Sequence, residues 1–229
     1  MTLDLDPPPK IITFDCYGTL VQWFEVLRAA IGEVLAIANR ADLDTDLVMQ
    51  RFTAHARGLE QSKPHRLYRT VLAESFTRAF AELDVPVGID GLDSLIRSLT
   101  RMGPHPETQA VLTQLRSRYK LAIFTNSDED LIAHAVRRIG VPIDYVITAE
   151  RAQAYKPSRA IFEYGHRVMG VGKDETVHVA MSMDLDMQAC HTLGMRGIWI
   201  NRMRLAGNPD WLPYEELPDL RDVPTLLQC

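Results

Sequence analysis

The run Phe14-Asp15-Cys16-Tyr17-Gly18-Thr19-Leu20 places an acid at the end of a short β-prone stretch, Ile11–Phe14, with a glycine three residues on to turn the backbone. An acid at a strand end beside such a turn faces a crevice rather than the core. A carboxylate withdrawn from water needs partners to stay ionised. Lys156, in Tyr155-Lys156-Pro157, is the candidate: the proline can open the next helix and leaves the lysine on the loop before it. An ammonium there would hold Asp15 charged and so available for chemistry. Thr19 and Thr125 add hydroxyl donors able to bond this carboxylate or one on a substrate. Singly, each residue has an ordinary explanation. Asp15 can cap a turn, Lys156 can be a solvated surface charge, and Asp186 can cap the helix Met187 to Leu193.

The elements that must position these residues alternate. Strand-like runs follow at Lys120 to Phe124, Tyr145 to Ile147, Val177 to Met181 and Gly197 to Ile200, each ending in polar residues. Helical patterns lie between them at Pro106 to Arg118, Leu131 to Ile139, Ser158 to Met169 and Met187 to Leu193. This order predicts an α/β fold with a doubly wound parallel sheet. Ligands of such sheets bind beyond the carboxyl ends of the strands, so Asp15, Thr125, Asn126 and Ser182 should converge. From Val21 to Leu99 the alternation stops and amphipathic helical patterns take over, as in Phe24 to Ala38 and Tyr68 to Leu83. The expected organisation is a core of residues 1–20 and 100–229, with residues 21–99 inserted after the first strand as a helical cap over the site.

The 229 residues, 46% hydrophobic and 24% charged, fall in the range of ordinary globular chains. A net charge of -5 with the two signs interspersed offers no basic stripe, so nucleic acid is not an expected partner. No apolar run approaches membrane-spanning length, and the acidic, proline-rich Met1 to Lys10 is unlike a cleaved leader, so no membrane partner is expected either. Cys16, Cys190 and Cys229 are far apart without metal-ligand spacing, as in reduced cytoplasmic proteins. The seven histidines form no i, i+4 pair near another ligand, so no metal cluster and no cofactor are expected; His178 reads as a strand residue. Arg137-Arg138 and Arg202-Met203-Arg204 read as solvated surface.

Four segments in order, Asp15 to Leu20, Thr125-Asn126, Lys156-Pro157 and Ser182 to Asp186, resemble the motifs of the haloacid dehalogenase superfamily of aspartate-nucleophile hydrolases. The resemblance covers nearly the whole chain. It implies that Asp15 is the nucleophile, with Thr19, Lys156 and Asp186 as further catalytic groups. Phosphatases of the superfamily carry a second aspartate two residues after the nucleophile, where this chain has Tyr17. They place a metal-binding aspartate where it has Met181, a thioether unsuited to Mg²⁺. The Asp-Cys-Tyr-Gly-Thr-Leu form instead resembles the 2-haloacid dehalogenase subgroup, which needs no metal.

The implied reaction is attack of Asp15 on C2 of a small 2-haloalkanoic acid, then hydrolysis of the resulting ester to the 2-hydroxy acid. Tyr17, Thr125, Asn126, Ser182 and Trp23 are the candidate substrate contacts, with Arg51, or less well Arg40, as the arginine that receives halide. The chain departs from the subgroup at Met181-Ser182-Met183-Asp184-Leu185-Asp186, where Ser-Ser-Asn-x-Trp-Asp is usual, and at Phe162, where a tyrosine is usual. One relative in the subgroup opens azetidine-2-carboxylate, whose leaving group is an amine. Asp184 would suit that cation, so ring opening is the alternative. A Mg²⁺-dependent phosphatase is the second alternative, and a binding module with a decayed site is the non-enzymatic one. Dimerisation is common in the family, so a homodimer is expected.

Overall fold

The computed structural model describes residues 3–229. Its centre is a six-stranded parallel sheet of β1 (Ile11–Phe14), β2 (Lys120–Thr125), β3 (Tyr145–Thr148), β4 (Thr176–Ala180), β5 (Arg196–Ile200) and β6 (Glu215–Leu217). The strand order is β3-β2-β1-β4-β5-β6. All four residues of β1 are buried, as a strand covered on both faces requires. Phe14 lies in register with Ile123 of β2 and Val179 of β4. The sheet is built outward from β1 in two directions, and the crevice at that reversal opens at the carboxyl end of β1, directly at Asp15.

Four helices form the insertion that follows β1: α1 (Trp23–Ile37), α2 (Thr45–Glu60), α3 (Tyr68–Glu82) and α4 (Ile89–Ser98). On α2 the buried residues Val48, Met49, Phe52, Ala56 and Leu59 recur at three- and four-residue spacing, which gives one apolar stripe. Phe52 stacks on Phe76 of α3 with ring centroids 4.1 Å apart, an arrangement that adds about 0.5–1.5 kcal/mol beyond burial. The insertion therefore has its own apolar interior.

The core helices are α5 (Thr108–Arg116), α6 (Glu129–Ile139), α7 (Ala149–Ala152), α8 (Arg159–Met169), α9 (Gln188–Leu193) and α10 (Val223–Leu226). Gly165 lets α8 sit hard against β2: a Cβ there would come within 2.2 Å of the Phe124 ring. That close approach fixes the start of α8 and the loop that carries Lys156.

Two features differ from the sequence reading. The edge strand β6 is only three residues long and acidic, too short and too polar for alternation to reveal. The segment Met183–Met187 winds as a π-type turn before α9, which begins at Gln188. Among the described residues no helix is long and apolar enough to cross a membrane.

Candidate active site

Asp15 leaves β1 with its backbone N–H bonded to the Val179 carbonyl at 3.1 Å, so its side chain is fixed at the sheet edge. Gly18, at φ +87°, turns the chain back within three residues. That turn brings Thr19 under Asp15. Thr19 Oγ1 accepts from the Met181 N–H at 2.9 Å and donates to Asp15 Oδ2 at 2.7 Å, so the incoming bond directs the hydroxyl proton at the carboxylate.

Lys156 Nζ donates to Asp15 Oδ1 at 2.8 Å and to Asp186 Oδ1 at 2.7 Å, and the lysine side chain is 1% exposed. Burial works against the ammonium, but Asp15 and Asp186 outweigh it and raise its pKa above the ordinary lysine value. The two acids are driven apart. Burial, reinforced by Asp186, raises Asp15 above the ordinary carboxylate range against the pull of Lys156 and Thr19. Burial also acts on Asp186, but Lys156 and His178 reverse it and hold that carboxyl low. Asp186 is thus the settled anion and Asp15 the more basic of the two, the division expected when two acids share one site.

Asn126 does not reach out towards a substrate. Its Oδ1 accepts from the Lys156 N–H at 2.7 Å and its Nδ2 donates to the Lys156 carbonyl at 3.3 Å, so it fixes the backbone that carries the lysine. Thr125 is buried and Tyr17 largely so, and among the described residues neither hydroxyl has a hydrogen-bond partner. Ser182 accepts from the Leu185 N–H at 3.2 Å and so caps the π-type turn. That turn delivers Asp186, wholly buried, to Lys156. Trp23, partly buried, packs edge-on against Phe24 with centroids 4.7 Å apart and lies 6.4 Å from Phe52.

Several expectations are corrected. Arg51 is not in the site: its side chain is 52% exposed and lies 3.9 Å from Glu82, because position 51 falls on the solvent face of α2. Arg40 donates to the carbonyls of Leu83 and Asp84 instead. Asp184 is exposed, turned away from Lys156 while Asp186 is turned in. Arg202 is not surface. Largely buried, it pairs with Glu107 at 2.7 Å and donates to the Thr19 carbonyl at 2.9 Å, bracing the turn after β1.

Sequence reasoning missed two groups. Glu60, at the end of α2, has a side chain only 8% exposed and lies 3.6 Å from Arg57. Burial raises its pKa to about 7, against Arg57, Lys156 and Asn126, which places this insertion carboxyl on the core side. An acid closing a polar helix turn carries no sign of burial, and only the spacing of Arg57 and Glu60 hinted at a pair. The other is His178, whose Nε2 lies 2.9 Å from Asp186 Oδ1. The signal was two polar residues, Thr13 and His178, inside two otherwise apolar central strands.

The family model for haloacid dehalogenase-like hydrolases matches residues 9–194. The chain is 30% identical over 200 residues to haloacetate dehalogenase H-2 of Moraxella sp. (strain B), covering 86% of this chain and 88% of that one. It is 24% identical over 220 residues to (S)-2-haloacid dehalogenase 4A of Burkholderia cepacia, covering 95% and 91% of the two chains. Among solved structures, the L-2-haloacid dehalogenase RSc1362 superposes with a TM-score of 0.84 at 23% identity, over 96% of this chain and 99% of that one. With the four motifs gathered around one buried lysine and a family match over most of its length, the chain belongs to the haloacid dehalogenase-like hydrolases.

Proposed function

We propose that this hydrolase displaces halide from C2 of a small 2-haloalkanoic acid, with the Asp15 carboxylate as nucleophile and no metal ion. Attack from behind the departing halide inverts C2 and leaves an ester on Asp15. Water then adds to the ester carbonyl, releasing the 2-hydroxy acid and restoring the carboxylate. The observation that carries this reading is the buried grip on Asp15: one oxygen takes a bond from Lys156 and the other from Thr19. A carboxylate stripped of water and held by two fixed donors is oriented for in-line attack. Its raised pKa marks it as the stronger base of the pair.

The helical insertion acts as a cap that keeps bulk water from the ester. The free hydroxyls of Thr125 and Tyr17 receive the substrate carboxylate. Donor chemistry supports the absence of Mg²⁺. The two buried carboxylates already share an ammonium, and position 181 offers a thioether, which is a poor ligand for a hard cation.

A second reading, ring opening of azetidine-2-carboxylate, draws support from Glu60. Asp184, which would have met the amine, is exposed, but a buried carboxyl with a pKa of about 7 has a proton to give a departing nitrogen. Purified protein with chelator, given 2-chloropropionate, fluoroacetate, azetidine-2-carboxylate and a generic phosphoester in turn, separates the readings. The expected result is release of chloride from 2-chloropropionate at a rate that added Mg²⁺ does not change. Turnover of azetidine-2-carboxylate alone would transfer the assignment to ring opening. Phosphoester hydrolysis only with Mg²⁺, and no action on any 2-haloacid, would overturn both.

A further inference from the structure

Behind Asp186 lies a group that the reaction as described leaves unused. His178, on β4, is wholly buried and sits in register beside Thr13 of β1. Its Nδ1 lies 2.8 Å from Thr13 Oγ1 and its Nε2 lies 2.9 Å from Asp186 Oδ1. Because Asp186 is the settled anion and can only accept, Nε2 carries a hydrogen and donates to it. The same Asp186 oxygen takes the bond from Lys156, while Oδ2 has no protein partner among the described residues. The acid is therefore pinned through one oxygen and unpaired at the other, which is buried.

Thr13 engages the other ring nitrogen, its Oγ1 lying 2.8 Å from Nδ1 and 3.3 Å from the Val177 carbonyl, so neither imidazole nitrogen is left without a partner. The other neighbours supply no competing anion. Phe124 of β2 and Phe162 of α8 meet the ring edge to face, with centroids 6.0 and 5.7 Å away. His166 of α8, whose pKa is lowered chiefly by burial and also by His178, is the remaining titratable group facing it. The charged groups on this axis are thus Asp186, Lys156 and Asp15.

The chemistry leaves one proton to place. In ester hydrolysis the water oxygen bonds to the Asp15 carboxyl carbon and the bond from that carbon to the product oxygen breaks. One water proton leaves on the product hydroxyl. The other must be taken up within the site before it passes to solvent.

We propose that His178 is a positioning residue for this second half-reaction: it holds Asp186 through Oδ1 and so leaves Oδ2 to take the water proton. The proposal rests on the ester mechanism above. It makes His178 dispensable for ester formation and important for ester breakdown, a split that loss of packing alone would not produce.

The test is rapid mixing of the native protein, His178→Gln and His178→Leu with excess 2-chloropropionate, then acid quench and intact-protein mass measurement. In His178→Leu, ester formation is expected to stay near the native rate while hydrolysis slows roughly ten- to a hundredfold, so that the esterified form accumulates. His178→Gln, which keeps a donor to Asp186 on a more flexible side chain, should fall between. Equal slowing of both steps, or no accumulation of ester, would overturn the proposal. Imidazole nitrogen chemical shifts of the native protein and of Asp186→Asn give a second readout without substrate. His178 should carry its hydrogen on Nε2 and respond to the substitution; an unresponsive ring would overturn the proposal. Absence of ester in the native protein would instead count against the proposed reaction, and the ring shifts would then decide the His178 contact separately.

Discussion

Asp15 and Asp186 share the Nζ of Lys156, yet only Asp15 is pushed above the ordinary carboxylate range, by burial reinforced by Asp186, while Asp186 has a second donor in His178. This has a kinetic sign. Attack needs Asp15 ionised, so the rate should fall as pH drops through its raised pKa, and the acid limb should lie above the usual aspartate value of about 3.9. A pH profile of kcat/KM measures that limb; one at or below the ordinary value would contradict the division. Loss of Lys156 should also cost stability. Lys156→Met leaves two facing carboxylates buried without a cation, and a loss of about 3–5 kcal/mol is expected from urea unfolding, together with loss of activity. A loss under about 1 kcal/mol would mean that the ammonium is not the keystone of the cluster. The contribution of Asp186, whose folded pKa is depressed, is present above its unfolded pKa and is lost as pH falls through the folded one.

At the scale of elements, the insertion is tied to the core beside the reacting groups. Asp128, 1% exposed and two residues beyond Asn126, accepts from the backbone N–H groups of Tyr68 and Arg69 at 2.6 and 3.0 Å and from Arg69 Nε at 3.0 Å. It caps the N-terminus of α3 from the other side of the crevice, while Tyr155 O–H donates to the Arg66 carbonyl at 2.7 Å. Asp128→Ala should therefore lower stability by about 1–3 kcal/mol and raise KM by loosening closure over the substrate. Urea midpoints and steady-state kinetics check both, and an unchanged KM would sever the link between this anchor and the site.

The strands and most core helices were legible because their apolar periods differ and Gly and Pro mark their ends. The convergence of Asp15, Thr19, Lys156 and Asp186 was legible through motif order, while the roles given to them belong to the proposed reaction. Arg51, Glu60 and His178 were not, since each depends on which way a side chain faces. A one-position rotation on α2 separates solvent from site, and a histidine within an apolar strand reads the same whether it packs or holds a carboxylate. Asn126 was found but misread, because a side chain folded onto a backbone thirty residues along the chain leaves no local trace.

Across the whole molecule, the sheet supplies the geometry that no single motif contains. Outward growth from β1 sends β2 and β3 one way and β4 to β6 the other, so the loops after β1, β2 and β4 meet at one edge. Asp15, Asn126 and Asp186 arrive from those three loops, and α8, seated against β2 at Gly165, brings in Lys156. The four helices inserted after β1 begin and end beside this edge, where the chain leaves and re-enters the core at Val21 and Pro104, which pair directly. A buried anion at such an edge, screened from water on one side and held by donors on the other, is suited to bond with carbon.

The most direct measurement of this is isotopic. After many turnovers of 2-chloropropionate in ¹⁸O water, peptide mass analysis should find the heavy oxygen in the Asp15 carboxylate, since water attacks the acyl carbon of the ester. Heavy oxygen in the product alone, with Asp15 unlabelled, would show that water attacks the substrate directly and would contradict the account.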